Sequence, residues 1–125
     1  IGVLPWAPLA QGYLARPHDA FSETTRGEAI DSSGWLSERN TVYRANGGEA
    51  INERVEELAD EKDRSMAQIA LAWLLHKDTV TAPIVGTSSI EHLEAAVEAL
   101  EIELSDEEIA YLEAPYEPVR ISGHE

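Results

Sequence analysis

Residues 79–88 read Thr-Val-Thr-Ala-Pro-Ile-Val-Gly-Thr-Ser, an apolar run that ends in a glycine and two hydroxyl residues. The run predicts a buried strand, and the Ser-Ser-Ile-Glu sequence of residues 88–91 predicts a capping box that opens a helix directly after it. The apolar stripe of that helix consists of Leu93, Ala96, Val97 and Leu100. A strand that turns at once into a helix is the repeating unit of α/β proteins.

A second apolar run, residues 2–6, opens the chain and ends at Pro5-Trp6 and Pro8. It predicts a buried strand that leads into a functional loop. From about Gly12 to Gly48 the apolar period is lost, and Gly, Ser, Thr, Arg and Asp accumulate. A loop of this length is uncommon as a connector in a compact domain, and it is typical of a segment that covers a site or is disordered.

Helical patterns fill most of the remaining chain. One apolar stripe consists of Ile51, Val55, Leu58 and Ala59. Capping boxes at residues 65–68 and 105–108 predict helices that reach about His76 and Glu113, and the tail from Pro115 reads as irregular. Alternating strands and helices imply parallel pairing. Two strands cannot form a stable sheet alone. We therefore expect a chain that begins inside a fold and needs further strands or a partner.

The charge balance excludes some classes of partner. The chain has 24 acidic and 9 basic residues, of which only Lys62 and Lys77 are lysines. A net charge of −15 disfavours nucleic acids and anionic membranes. The acid excess fits a solvated acidic surface, and with so few lysines it favours adaptation to high salt. The chain has no cysteine and no apolar run long enough to span a bilayer, so we expect a cytoplasmic protein without disulfides.

Four segments, in order, are similar to the aldo-keto reductase family. Residues 5–12 resemble the Trp-Ser-Pro-Leu-Ala-x-Gly motif after the seventh barrel strand, and residues 83–94 resemble the eighth strand and its helix. Residues 68–75 resemble the seventh helix, and residues 113–124 resemble the ending of bacterial and archaeal members. The resemblance implies an α/β fold, the C-terminal half of a (β/α)₈ TIM-type barrel. Residues 1–125 would form a partial domain holding about the last two strands with their helices.

The resemblance also implies NADP(H) as cofactor. The positions it assigns to cofactor binding are Trp6, Ala7, Pro8, Leu9, Gly12, Arg26, Gly86, Thr87, Ser88 and His92. Trp6 offers a flat face for a nicotinamide ring, and residues 86–88 place free N–H groups at a helix start for the 2′-phosphate. Each feature also has a plainer interpretation: a rim tryptophan, a helix cap, and, for Arg26 and His92, exposed side chains.

Two departures from the family pattern bear on affinity. Ala7 stands where the family usually has Ser, which removes a hydroxyl that could bond the cofactor. Ala95 and Ala96 stand where many members have the Glu-Asn pair that holds the adenine. The resemblance therefore implies weaker binding, or an adenine that is held differently.

The resemblance implies reduction of aldehydes or ketones to alcohols by hydride transfer. The family's Asp, Tyr, Lys and His tetrad is expected upstream of Ile1, so no catalytic residue is assigned, and the four histidines lack the spacing of metal ligands. An alternative is a catalytically inactive half-barrel that binds a nucleotide or a partner, or the product of a decayed gene. The expected partners are a carbonyl substrate in the complete barrel, and either the missing N-terminal half or a second copy.

Overall fold

The computed structural model describes residues 1–21 and 41–119. Its α-helices are α1 (Gly48–Lys62), α2 (Met66–Leu75), α3 (Ile90–Glu98) and α4 (Asp106–Glu113), with 3₁₀ helices at Ala10–Ala15 and Ala99–Glu101. Residues 41–44 are also helical, so the predicted long loop contains helix at both described ends. The rest of that loop lies outside the described residues. No helix in the described ranges is long and apolar enough to cross a membrane.

Serine caps set the start of three helices. The capping boxes of α2 and α4 are confirmed. The Ser65 and Ser105 hydroxyls each accept a hydrogen bond from the backbone N–H three residues later. The side chains of those later residues, Gln68 and Glu108, accept in turn from the serine N–H. The prediction that Ser88 caps α3 is wrong, because Ser89 accepts from the His92 N–H instead. The Thr87 hydroxyl bonds both the N–H and the C=O of Ser89, which holds Ser89 in the extended conformation of a cap.

The core lies among α1, α2 and α4. The predicted stripe of α1 is confirmed, since Val55, Leu58 and Ala59 are each 3 % exposed. The buried cluster consists of Val55, Leu58, Ala59, Met66, Ile69, Ala72, Ile102, Leu104 and Leu112. At its edge, the Trp73 indole N–H donates to Glu113 Oε1 at 2.8 Å and so joins α2 to α4. Apolar burial of this kind is the main source of stability in a small domain.

The two predicted strands are present only as extended segments, residues 1–6 and 79–85, here called the paired segments. Isolated parallel bridges join Val3 to Val80 and Trp6 to Ile84, so the parallel pairing is confirmed. The prediction that these runs are buried is wrong, because Val3 is 46 % and Ile84 49 % exposed. Each segment pairs along one edge, and in the described chain no layer covers their apolar side chains.

Helix α3 packs through its small residues. Ala99, just past its end, is 1 % exposed, and Gln68 of α2 donates to the Ala95 carbonyl at 3.2 Å. The large residues of the predicted stripe point the other way: Leu93 is 51 %, Val97 57 % and Leu100 68 % exposed. The expectation that this stripe faces a core is therefore wrong for the described residues, since the alanine side of α3 takes the contact with α2.

Candidate functional site

The parallel register brings two distant motifs to one end of the paired segments. Trp6 forms its bridge with Ile84, and the Ile84 N–H donates to the Pro5 carbonyl at 3.0 Å. Trp6 is 66 % exposed, so its ring is open to a ligand. Gly86 follows Ile84 by two residues. The tryptophan and the glycine-serine turn are thus held at the same edge, although nearly 80 positions separate them in the sequence.

The loop after Trp6 has a strained backbone. Ala7, Ala10 and Gln11 have φ values of 53°, 49° and 60°, which lie in the left-handed region, and Gly12 has a φ of 99°. A non-glycine residue in this region costs about 1–2 kcal/mol. An added Cβ at Gly12 would meet only Phe21, at an ordinary 3.8 Å. Gly12 is needed for its φ value rather than for space.

Local hydrogen bonds and aromatic packing hold this loop. The Gly12 and Leu14 N–H groups both donate to the Leu9 carbonyl, at 2.9 and 3.2 Å. The Tyr13 ring meets Phe21 edge-on at 5.7 Å and stacks on Tyr43 at 6.3 Å. Within the loop, Pro8 and Leu9 are half-buried. The loop therefore packs as a compact unit against the helical part of the molecule.

A fully buried asparagine ties the loop to α1. Asn52 is 0 % exposed, and its Nδ2 donates to the carbonyls of Tyr13 at 2.7 Å and Arg16 at 3.0 Å. Sequence reasoning missed this residue. The available signal was its place three residues before Val55 and seven before Ala59, on the stripe that otherwise carries apolar side chains.

Two of the described tyrosines, Tyr13 and Tyr111, have raised pKa values. Burial, with Glu49 adding to it, raises the pKa of the Tyr13 phenol to about 12, and Arg44 partly opposes this. No described residue bonds the Tyr13 hydroxyl. The Tyr111 hydroxyl donates to Glu57, and this bond raises the pKa of Tyr111. Both groups therefore stay protonated at neutral pH.

The N-terminus of α3 already holds a carboxylate. The Ser89 hydroxyl donates to Glu91 Oε2 at 2.6 Å, and this bond, with the residue's own backbone N–H, lowers the pKa of Glu91. The His92 N–H is used by the cap, and the His92 side chain is exposed. A Cβ at Gly86 would meet nothing within 4 Å. The N-terminus of α3 thus favours a negative charge and has open space beside it at Gly86. The Glu91 carboxylate, which accepts from the Ser89 hydroxyl, would compete with a bound anion there.

The positions predicted to bind the cofactor fall into two described groups. One comprises Trp6, Ala7, Pro8, Leu9 and Gly12, and the other Gly86, Thr87, Ser88 and His92. The register of the paired segments brings Trp6 and the turn that begins at Gly86 together, while His92 lies beyond the cap. Arg26 lies outside the described residues. Across residues 1–21 and 41–119, no group of three His, Cys, Asp or Glu side chains could hold a metal ion.

Comparison with known proteins identifies one family. The sequence profile of the aldo/keto reductase family matches residues 1–117. A Schizosaccharomyces pombe protein that carries an aryl-alcohol dehydrogenase name is 47 % identical over 123 residues, covering 98 % of this chain and 33 % of its own. The versiconal hemiacetal acetate reductase of Aspergillus parasiticus is 40 % identical over 121 residues, covering 97 % of this chain and 34 % of its own.

A third relative, an aldo-keto reductase of Fusarium vanettenii, is 40 % identical over 126 residues, covering 99 % of this chain and 32 % of its own. The chain thus spans about a third of the length of the curated relatives that it matches. Members of the matched family generally use NAD(P)H, and their fold is a (β/α)₈ barrel.

Proposed function

The chain belongs to the aldo/keto reductase family, and we propose that it is the C-terminal, NADP(H)-binding part of a reductase that converts aldehydes or ketones to alcohols. The observation that carries this proposal is the parallel bridge of Trp6 to Ile84. It sets the tryptophan loop and the Gly86 turn at one end of two parallel segments. In (β/α)₈ barrels, active sites lie at the C-terminal ends of the strands.

The residues at this edge fit a dinucleotide. The open ring of Trp6 suits stacking on a nicotinamide, which would fix the ring face presented to the substrate. The space beside Gly86 and the start of α3 suits the 2′-phosphate, with Thr87 and Ser88 exposed next to it. His92 and Arg26 are proposed as further phosphate contacts. When bound, NADPH supplies the hydride.

The rest of the barrel is proposed to cover the exposed apolar surface. The exposed apolar side chains near the proposed cofactor site are Ile1, Val3, Leu4, Ile84, Val85, Ile90, Leu93, Val97 and Leu100. A contiguous exposed apolar patch marks an interaction surface in most proteins. We propose that the N-terminal part of the barrel covers it and brings the general acid; a second copy is the alternative occupant. On this proposal the 125-residue chain alone reduces no carbonyl compound, which an NADPH oxidation assay with an aldehyde panel would check.

Salt adaptation is proposed on the charge balance. With a net charge of −15, repulsion among carboxylates extends over roughly 30 Å at 0.01 M salt and over only about 3 Å at 1 M. Circular dichroism should therefore show helix gained between dilute buffer and molar potassium chloride. Spectra and melting temperatures that stay constant over this range would contradict the proposal.

Cofactor preference tests the proposed function. Fluorescence quenching of Trp6, with Trp35 and Trp73 replaced by Phe, would measure the affinities for NADPH and NADH. We expect NADPH to bind about tenfold to a hundredfold more tightly, equivalent to roughly 1.4–2.8 kcal/mol. Gly86→Asp should erase the preference by placing a carboxylate beside the phosphate, whereas Gly86→Asn, of equal size, should keep most of it. Equal affinities in the unaltered chain, or no response to Gly86→Asp, would contradict the phosphate site.

The competing carboxylate provides a second, opposite test. Glu91→Gln removes the negative charge that shares the Ser89 donor, so NADPH should bind several-fold more tightly, with NADH little changed. Glu94→Gln is the matched control, because Glu94 is exposed one turn further along α3. If both variants gain the same affinity, the effect is general charge reduction, and the helix start is not the phosphate site.

A further inference from the structure

Asn52 donates its side-chain amide entirely to the loop that follows Trp6. The two Nδ2 bonds reach the carbonyls of Tyr13 and Arg16, which lie 39 and 36 residues earlier in the chain. These residues are the buried member and the C-cap of the 3₁₀ helix that ends the loop. Neither bond supports the backbone of α1, in which Asn52 sits. The side chain is therefore placed to hold the loop rather than its own helix.

Burying the Asn52 amide has an energetic cost. Among the described residues, Asn52 Oδ1 has no hydrogen-bond partner, although the side chain is 0 % exposed. A buried polar atom without a partner is unfavourable, and an apolar residue would continue the stripe that Val55 and Ala59 form. Among the described residues, Asn52 thus forms its side-chain hydrogen bonds through Nδ2.

The loop needs an external hold because its backbone is strained. Ala7, Ala10 and Gln11 are all in the left-handed region, and the bonds inside the loop are short-range ones to Ala7 and Leu9. A strained backbone of this kind persists only where contacts with the surrounding structure hold it in that conformation. The two Asn52 bonds connect the end of this loop to α1, beside the packing of Leu14 against the core cluster.

We propose that Asn52 is a positioning residue for cofactor binding: it holds the strained loop of residues 7–16 in the conformation that, with Trp6, receives the dinucleotide. This inference rests on the proposed function. Asn52 lies on the core helix α1 and acts through the loop. The loop is proposed to contact the parts that NADPH and NADH share, whereas the Gly86 turn distinguishes them. Loss of Asn52 should therefore weaken both cofactors equally.

The test compares two variants with a matched control. Asn52→Leu keeps the branched shape and the number of side-chain heavy atoms and removes both hydrogen bonds. Asn52→Ser leaves room for a water on the two carbonyls and should have a smaller effect; it also serves if Asn52→Leu fails to fold. Trp73→Phe is the control, because it removes one side-chain bond, to Glu113, that joins α2 to α4 and does not involve the loop.

Two readouts separate positioning from general stability. The first needs no cofactor: amide hydrogen exchange at Gly12 and Leu14 should become about tenfold faster in Asn52→Leu, relative to the Ile69 amide in α2. The second is calorimetric titration with NADPH and with NADH, each of which should bind about tenfold more weakly, at an unchanged ratio. Trp73→Phe should change neither readout.

The outcomes distinguish this inference from the proposed function. Faster loop exchange with equal weakening of both cofactors supports it. Unchanged loop exchange, faster exchange with unaltered cofactor binding, or a changed NADPH to NADH ratio overturns it. If the unaltered chain binds neither cofactor, the proposed function is contradicted. If Asn52→Leu still makes amide exchange in the loop faster in that case, the structural role of Asn52 in stabilising the loop is supported on its own.

Discussion

Helices α1 and α3 carry similar apolar stripes, and the structure treats them in opposite ways. On α1, Val55 and Leu58 are each 3 % exposed, within a cluster that α2 and α4 complete. On α3, Leu93 and Val97 are 51 % and 57 % exposed. Both stripes have helical spacing, so the periodicity that forms an amphipathic helix is shared. What differs is whether a complementary surface is present in the described chain.

The helical core buries its apolar side chains, whereas the paired segments and α3 leave theirs exposed among the described residues. The helical core closes its apolar surface with its own residues and links its helices with side-chain bonds. The paired segments and α3 leave apolar side chains in solvent, and the proposed cofactor edge lies on that side, at Trp6 and Gly86. The packed helices therefore support the proposed site, while the site itself adjoins apolar side chains that are exposed in the described residues.

Truncating one leucine in each region should give the largest contrast. Leu58→Ala removes a buried side chain from the core and should lower the free energy of unfolding by about 3–4 kcal/mol. Leu93→Ala removes a side chain that is 51 % exposed and should change it by less than about 0.5 kcal/mol. Urea unfolding followed by circular dichroism measures both. Similar losses would mean that α3 buries its stripe in the 125-residue chain.

Alkaline pH should act on the packed region through Tyr13. Because its pKa in the folded chain is raised from 10.0 to about 12, the stabilisation is complete below pH 10 and is lost as pH rises from 10 through 12. Two pH units correspond to at most about 2.7 kcal/mol. Tyr13→Phe should flatten this part of a pH series of urea midpoints. Tyr116→Phe, at a tyrosine that is 61 % exposed, is the control and should keep the slope.

Adding a methyl group to one glycine in each region sharpens the comparison further. Gly47, the N-cap of α1, has a φ of 84°, and a Cβ there would lie 1.8 Å from the Pro115 carbonyl oxygen. Gly47→Ala should therefore cost about 2 kcal/mol of stability. Gly86→Ala should cost less than about 0.5 kcal/mol, because nothing lies within 4 Å. Thermal melting would measure the pair, and equal shifts would contradict the open space at Gly86.

The serine caps should give the smallest effects. Ser105→Ala removes the cap of α4, whose Leu112 is buried in the core, and should cost about 1 kcal/mol. Ser89→Ala should cost roughly half as much, since α3 contributes less buried surface. Ser88→Ala should have almost no effect, because Ser88 is not the cap. A greater loss for Ser88→Ala than for Ser89→Ala would restore the capping box predicted from the sequence.

Local patterns were predictable where one contact within a helical turn decides the structure. The capping boxes at Ser65 and Ser105 are confirmed because their bonds join residues three apart in the chain. The same reasoning chose Ser88 over Ser89, since the Ser-x-x-Glu spacing fits Ser88. In the structure the cap is Ser89, one residue later, and the Thr87 hydroxyl bonds the Ser89 backbone. Two adjacent serines offer alternatives that spacing alone does not separate.

The sequence by itself determined the helices, the parallel direction of the paired segments and the family, because these follow from short-range periodicity and from motifs in order. Only the tertiary structure decided which apolar stripes are buried, that Asn52 reaches back to Tyr13 and Arg16, and that Gly12 is needed for its φ value. Burial and long-range hydrogen bonds depend on which surfaces meet. A residue pattern specifies a surface, and packing in three dimensions selects what it contacts.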